Sequence, residues 1–189
     1  MKDFSSILEQ ARPGDLVLVR HEGPNDILSD GIEWFSDGTV SHCFICLGDG
    51  AIVEAVPLGG VKIQQMSMYF KDGYSLILRR IGAPYSVIYS NTGARIAEAA
   101  KGLVGSRYDF SQIAIDAVYF LLGKIGAYKL QGRVARRWKG WRGGYTCSEL
   151  YCTAVWKGVG VELFPGVEYG LIPPQKLLES SVLLTLCRI

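Results

Sequence analysis

The chain patterns as an α+β protein. Helical spacing occurs near both ends, and apolar runs of strand length cluster in the first half. No internal repeat or low-complexity tract imposes another architecture. The 189 residues suit one domain, 1–189, and 49% hydrophobic and 11% aromatic content gives it a sizeable core and excludes a disordered chain.

Taken in order, "DFSSILEQ" spaces Phe4, Ile7 and Leu8 for a helix. "RPGD" makes a turn into the strand "LVLVR" at 16–20, and "SDGIEWFS" at 29–36 predicts a short helix capped by Ser29 or Asp30. "VSHCFICLGDGAIVEAV", 40–56, reads as a β-hairpin around Gly48-Asp49-Gly50. "GVKIQQM" and "YSLILRR" add two strands, and "TGARIAEAAKGLVG" an amphipathic helix. Helices are expected over 110–128 and over 147–157, the latter stopping at Gly158. "PPQKLLES" starts a last short helix at its prolines, and "VLLTLCRI" is a final strand.

Charge is unevenly distributed. The formal net charge is +2, but Lys124, Lys129, Arg133, Arg136, Arg137, Lys139 and Arg142 lie between Asp116 and Glu149 with no acid among them. A +7 segment therefore sits on a −5 remainder, and an anionic surface is its natural partner. The N-terminus carries no Sec-type signal, so free thiols are the simpler reading of the five cysteines. This predicts a cytoplasmic protein, or one that is phage-associated or delivered by a non-Sec route. The most apolar stretch, 110–128, is broken by Asp116 and Lys124 and is not a membrane span.

The candidate chemistry starts at "YTCSEL". Thr146 and Glu149 fit a capping box, which makes Cys147 the first residue of a helix. Free amides and the positive end of the helix dipole favour a thiolate there and can hold an oxyanion. A buried first-turn cysteine fits the same stretch. Cys43 and Cys46 in an apolar strand, Cys152 in mid-helix and Cys187 in the last strand read as packing residues. Of the two histidines, His21 reads as a solvated loop residue, whereas His42 opens a strand and can serve Cys147 as a base.

Glu54 is the lone charge in "AIVEAV" and needs a partner. With a three-residue hairpin loop, paired residues sum to 98 and His42 lies diagonal to Glu54 on one face; with a two-residue turn they sum to 99 and the two face apart. The three-residue loop is expected. Cys43-x-x-Cys46 beside His42 resembles half a zinc site, but residues three apart on a strand face opposite ways, so no metal is expected.

The ordered pieces "RPGDLVLVR", "DGIEWFSDGTVSHCFICLGDG", "IVEAVPLGGV", "GSRYDF", "YTCSELYCTAVWKGVGVEL" and "PPQKLLES" resemble the circularly permuted papain-like hydrolases of the NlpC superfamily. They are most similar to the YiiX/YebB-like group, and more distantly to lecithin:retinol acyltransferase. The resemblance implies an antiparallel sheet or small barrel packed against the helix that bears the cysteine. It implies Cys147 as nucleophile, His42 as general base and acid, Glu54 as the residue orienting the histidine, and Tyr108 as a substrate or oxyanion contact, with no cofactor. Asp109 is expected to cap the following helix.

In ordinary NlpC-type enzymes the tyrosine lies close before the cysteine, whereas here an apolar and basic helical insertion at about 110–142 intervenes. It reads either as a packed helix with a solvated basic face or as a docking surface, and "ARRWKGWRGG" suits a membrane interface.

The resulting expectation is a thiol hydrolase that cleaves an amide, peptidoglycan-type or other peptide, through an acyl-enzyme. The alternatives are a lipid or fatty-acyl hydrolase or acyltransferase at a membrane surface, and a non-catalytic binding module. Nucleic-acid binding through 124–142 is the weakest reading and would show a steep salt dependence.

Overall fold

The computed structural model describes residues 4–22, 38–82, 91–137 and 144–189. Its helices are α1 (Ser5–Gln10), α2 (Thr92–Lys101), α3 (Phe110–Lys124), α4 (Tyr128–Arg137), α5 (Cys147–Val159) and α6 (Pro174–Glu179). Its strands are β1 (Leu16–His21), β2 (His42–Gly48), β3 (Ala51–Val56), β4 (Gly60–Gln65), β5 (Tyr74–Ile81) and β6 (Leu183–Arg188). The strands form one antiparallel sheet in the order β4-β3-β2-β1-β5-β6, with helices against it, so the α+β expectation holds. The helix expected at 29–36 lies outside the described residues, and His21 ends β1 opposite Tyr74 instead of standing in a loop.

Strand alternation splits the interior into two cores. Leu16, Leu18, Cys43, Ile45, Val53 and Ala55 face α2 and α5. Val17, Val19, Phe44, Cys46, Ile52 and Leu78 face the other way, where Ile7 of α1 and Met66 close the layer. Cys43 and Cys46 thus lie on opposite faces, as their spacing requires.

At Gly158, α5 approaches α2 more closely than a larger residue would allow. A Cβ on Gly158 would sit 2.8 Å from the Arg95 carbonyl oxygen, so this glycine is a crossing point and not the expected stop. The helix ends at Gly160, whose φ of 70° is left-handed and whose N–H bonds the Trp156 carbonyl at 2.8 Å.

The β2–β3 hairpin reaches the expected register by another route. Ile45 pairs with Val53 and Cys46 with Ile52, but Gly48 pairs with Ala51, so the ladder shifts between Cys46 and Gly48. The connection is a two-residue turn at Asp49-Gly50, with φ of 50° and 73°, and not a three-residue loop. A bulge at Leu47 supplies the extra residue and returns the ladder to the sum of 98.

Two arginines at the end of β5 hold the periphery. Arg80 forks onto Asp15, with Nε to Oδ1 and Nη2 to Oδ2 both at 2.7 Å, and Asp15 also accepts the Arg12 N–H at 2.8 Å. Arg79 is buried and donates to the carbonyls of Leu177 (2.7 Å), Leu178, Ser180 (3.0 Å) and Leu183. Those groups include the orphan carbonyls at the end of α6, so one guanidinium ties α6, the following turn and β6 to β5.

Candidate functional site

The site begins at the entry to α5. Asp109 N–H bonds the Tyr145 carbonyl at 3.3 Å, and Tyr145 N–H bonds the Arg107 carbonyl at 2.9 Å. Tyr108 and Tyr145 form an isolated parallel bridge, which lays Tyr108 beside the chain leading to Cys147. The approach needs a glycine before it: a Cβ on Gly144 would lie 2.2 Å from the Arg107 oxygen. Asp109 caps α3 by accepting the Gln112 N–H at 3.0 Å.

Thr146 takes the N-cap position of α5, and its hydroxyl accepts the Glu149 N–H at 3.4 Å. Cys147 is therefore the first helical residue, 5% exposed, against the helix-side core. α5 packs on β2 and β3, which brings its N-terminus to the start of β2. There the Cys147 thiol meets two consecutive residues of one strand, His42 and Cys43.

His42 Nε2 lies 2.9 Å from Glu54 Oε2, which leaves Nδ1 as the ring nitrogen available to the thiol. Glu54 is 1% exposed, and the hairpin register aligns it with Phe44, diagonal to His42. Tyr69, in the short 3₁₀ turn Met66–Tyr69, donates its hydroxyl to the same Glu54 oxygen at 2.5 Å. Its ring lies over His42 with centroids 6.0 Å apart and is tilted against Phe44 at 5.0 Å.

The electrostatics follow from these contacts. Burial disfavours a charged His42, but hydrogen bonds to Cys147 and Glu54 and the negative charge on both outweigh it and lift its pKa from 6.5 to about 10. Burial also opposes ionisation of Glu54, yet His42, Tyr69 and Gln64 hold its carboxyl below the usual range. The Cys43 thiol donates to Cys147; with the His42 hydrogen bond and charge and the Cys43 N–H, it overcomes burial and holds Cys147 well below an ordinary thiol. Burial and the neighbouring Cys147 charge push Cys43 up, so Cys43 keeps its proton and acts as the donor. Burial likewise raises Cys46 and Cys152. The directions of these shifts favour a thiolate–imidazolium pair backed by a carboxylate.

Sequence reasoning selected Cys147, His42 and Glu54, and the fold brings these three together. Tyr108 is placed alongside the entry to the helix. Two members were missed. Cys43 was read as packing, although its position next to His42 on a strand facing α5 was a usable signal. Tyr69 lies in a segment with no motif, and only the folded hairpin brings it over the histidine.

Among solved structures, the chain matches the crystal structure of metalloprotein yiiX from Escherichia coli O157:H7, with a TM-score of 0.63. The match covers 95% of this chain and 98% of that one, at 17% sequence identity. The chain has a YiiX-like fold. No family model and no curated protein matches its sequence. At that identity the likeness speaks for architecture, and the chemistry has to be argued from this chain's own residues.

Proposed function

We propose that the protein is a cysteine hydrolase with a circularly permuted papain-like site of the NlpC type. The observation that carries this reading is the position of His42, held between a helix-capped thiol and a buried carboxylate. The Cys147 thiolate attacks an amide or ester carbonyl, forming a sulfur–carbon bond and an oxyanion that backbone N–H groups at the start of α5 stabilise. The oxyanion re-forms the carbonyl, the bond to the leaving group breaks, and His42 gives that group its proton. Water then loses a proton to His42 and attacks the thioester, which releases the acid and restores the thiolate. Glu54 keeps the imidazole oriented throughout, and Tyr108 serves as a substrate contact. A peptide amide, peptidoglycan-type or other, is the favoured substrate. A lipid or fatty-acyl ester is the second reading, supported by the apolar surface of α3.

The similar solved protein is called a metalloprotein. Among the described residues of this chain, no three His, Cys, Asp or Glu side chains are grouped to hold a metal ion. Nε2 of His42 is committed to Glu54, and the thiols of Cys43 and Cys147 to each other. These donors, among the described residues, do not fit a resident metal.

The test is the pH dependence of Cys147 alkylation by a small haloacetamide, followed by mass spectrometry. Because the thiol is mostly covered, the midpoint carries the information and the absolute rate does not. The expected midpoint lies well below the ordinary thiol range of about 8.5, and His42→Ala moves it up. An ordinary midpoint that His42→Ala leaves unchanged overturns the reading.

A further inference from the structure

A surface helix normally turns its polar side to water, whereas the exposed side chains among the described residues of α3 are mostly apolar. Its body-facing side is set by Ile115, 5% exposed, and by Gln112, whose side chain would lie 2.6 Å from a Cβ on Gly170. Steps of four, four, three and four residues from Phe110 reach Ala114, Val118, Leu121 and Ile125, a single stripe on the outward side. Phe110, Val118, Leu121 and Ile125 are 52%, 48%, 44% and 67% exposed. Isolated exposed apolar residues are ordinary, but a contiguous stripe of this length is not.

The stripe runs into the α3–α4 corner, where Tyr128 is 70% and Leu130 49% exposed. Gln131 of α4 donates to the Tyr119 carbonyl of α3 at 3.1 Å, which fixes the shape of that corner. Lys124 and Lys129 are exposed at the same place, within the long segment that contains no acid.

We propose that the α3–α4 corner docks on an anionic lipid bilayer. The stripe enters the interface, and the two lysines sit at the level of the lipid phosphates. Charge and hydrophobicity together select this partner. A nucleic acid would use the lysines and leave the stripe in water; a second copy of the chain would cover the stripe and bring like charges together. The proposal does not depend on the chemistry at Cys147.

Flotation of the full chain with vesicles tests it. Phosphatidylcholine vesicles containing about one-third phosphatidylserine should carry the protein up at low salt, and pure phosphatidylcholine vesicles far less. Lys124→Gln and Lys129→Gln should each weaken partitioning about fivefold, as expected for one basic residue near an anionic surface. Ile125→Ser and Leu121→Ser should weaken it by a comparable factor. These are exposed positions, and the lysine and serine variants are independent routes to the same result.

Failure to float with anionic vesicles at low salt overturns the proposal. So does flotation that none of the four substitutions changes. Two other results overturn it in favour of a different occupant: a dimer that Leu121→Ser dissociates, or RNA retention that the lysine variants lose and Leu121→Ser keeps.

Discussion

Arg79 on β5 and Glu54 on β3 are both nearly sealed from water, 5% and 1% exposed, and the fold treats them in opposite ways. Arg79 gives its hydrogen bonds to backbone carbonyls, groups that never titrate. Glu54 meets a histidine and a tyrosine, and through the histidine a thiol. The first arrangement uses a buried charge to join elements. The second leaves a chain of groups whose protons can move. Burial and charge alone therefore do not mark a functional site; the marker is whether the partners can change protonation state.

Breaking the first arrangement should have the largest effect on folding. Arg79→Leu strands several buried carbonyls and should cost about 3 kcal/mol or more in urea unfolding. Whatever still folds should keep the Cys147 alkylation midpoint of the parent. A shifted midpoint would mean that the two regions are coupled.

Breaking the second should do the reverse. Cys43→Ala removes the strongest donor to the Cys147 sulfur and His42→Ala the second, so each should raise the alkylation midpoint towards that of an ordinary thiol. Their effect on urea unfolding should be smaller than that of Arg79→Leu. If Cys43→Ala leaves the midpoint in place, the thiol–thiol contact does not tune the nucleophile.

The pair also predicts a shape for stability against pH. His42 is raised from 6.5 to about 10, so its contribution is full below 6.5 and is lost as pH rises through 10. Cys147 is lowered from 9.0, so its contribution is full above 9.0 and is lost as pH falls through its native value. Between 6.5 and 9.0 the folded imidazolium–thiolate and the unfolded imidazole–thiol each bind one proton, so the pair adds no slope. Above 9.0 the folded pair holds the extra proton, and stability should fall towards pH 10. Urea unfolding of the parent, minus that of a Cys147→Ala/His42→Gln double variant, should show this plateau and fall. A slope across the plateau would contradict the ion pair.

The smallest effect belongs to Tyr69→Phe. It removes one hydrogen bond to a buried carboxylate, worth about 1.5–3 kcal/mol when the acceptor is charged, part of which nearby groups recover. The His42 titration, followed by NMR, should move down, because a less well stabilised Glu54 supports the imidazolium less. An unchanged titration would make Tyr69 a packing residue.

How much of this was readable in advance depended on locality. The capping box at Thr146 and the lone charge at Glu54 were visible because each conflicts with its immediate neighbours unless a specific partner is supplied. The positions of the strands and the opposite facing of Cys43 and Cys46 followed from local periodicity, whereas the sheet order, with β1 between β2 and β5, did not. Tyr69 was invisible because its partner is set by how the chain leaves β4, not by any pattern around it. Arg79 was not singled out within "YSLILRR", since nothing in that strand announces the carbonyls of α6. Gly158 resembled a helix terminator because a glycine that permits a close crossing and one that ends a helix look alike until the neighbour is known.

The bulge at Leu47 works as a phase setting. A strand carries a binary code, one face or the other, and a single inserted or deleted residue inverts every symbol downstream. Drawing Leu47 into the ladder opposite Ile52 would leave the Asp49-Gly50 turn and the pairing capacity of both strands intact, yet every earlier pair would sum to 99 and Glu54 would turn away from His42; deleting Leu47 outright would keep the present pairs. Loss of the bulge with Leu47 retained therefore separates foldability from the His42–Glu54 contact with no side chain of the site altered, which makes the bulge as informative as residue identity when related chains are compared.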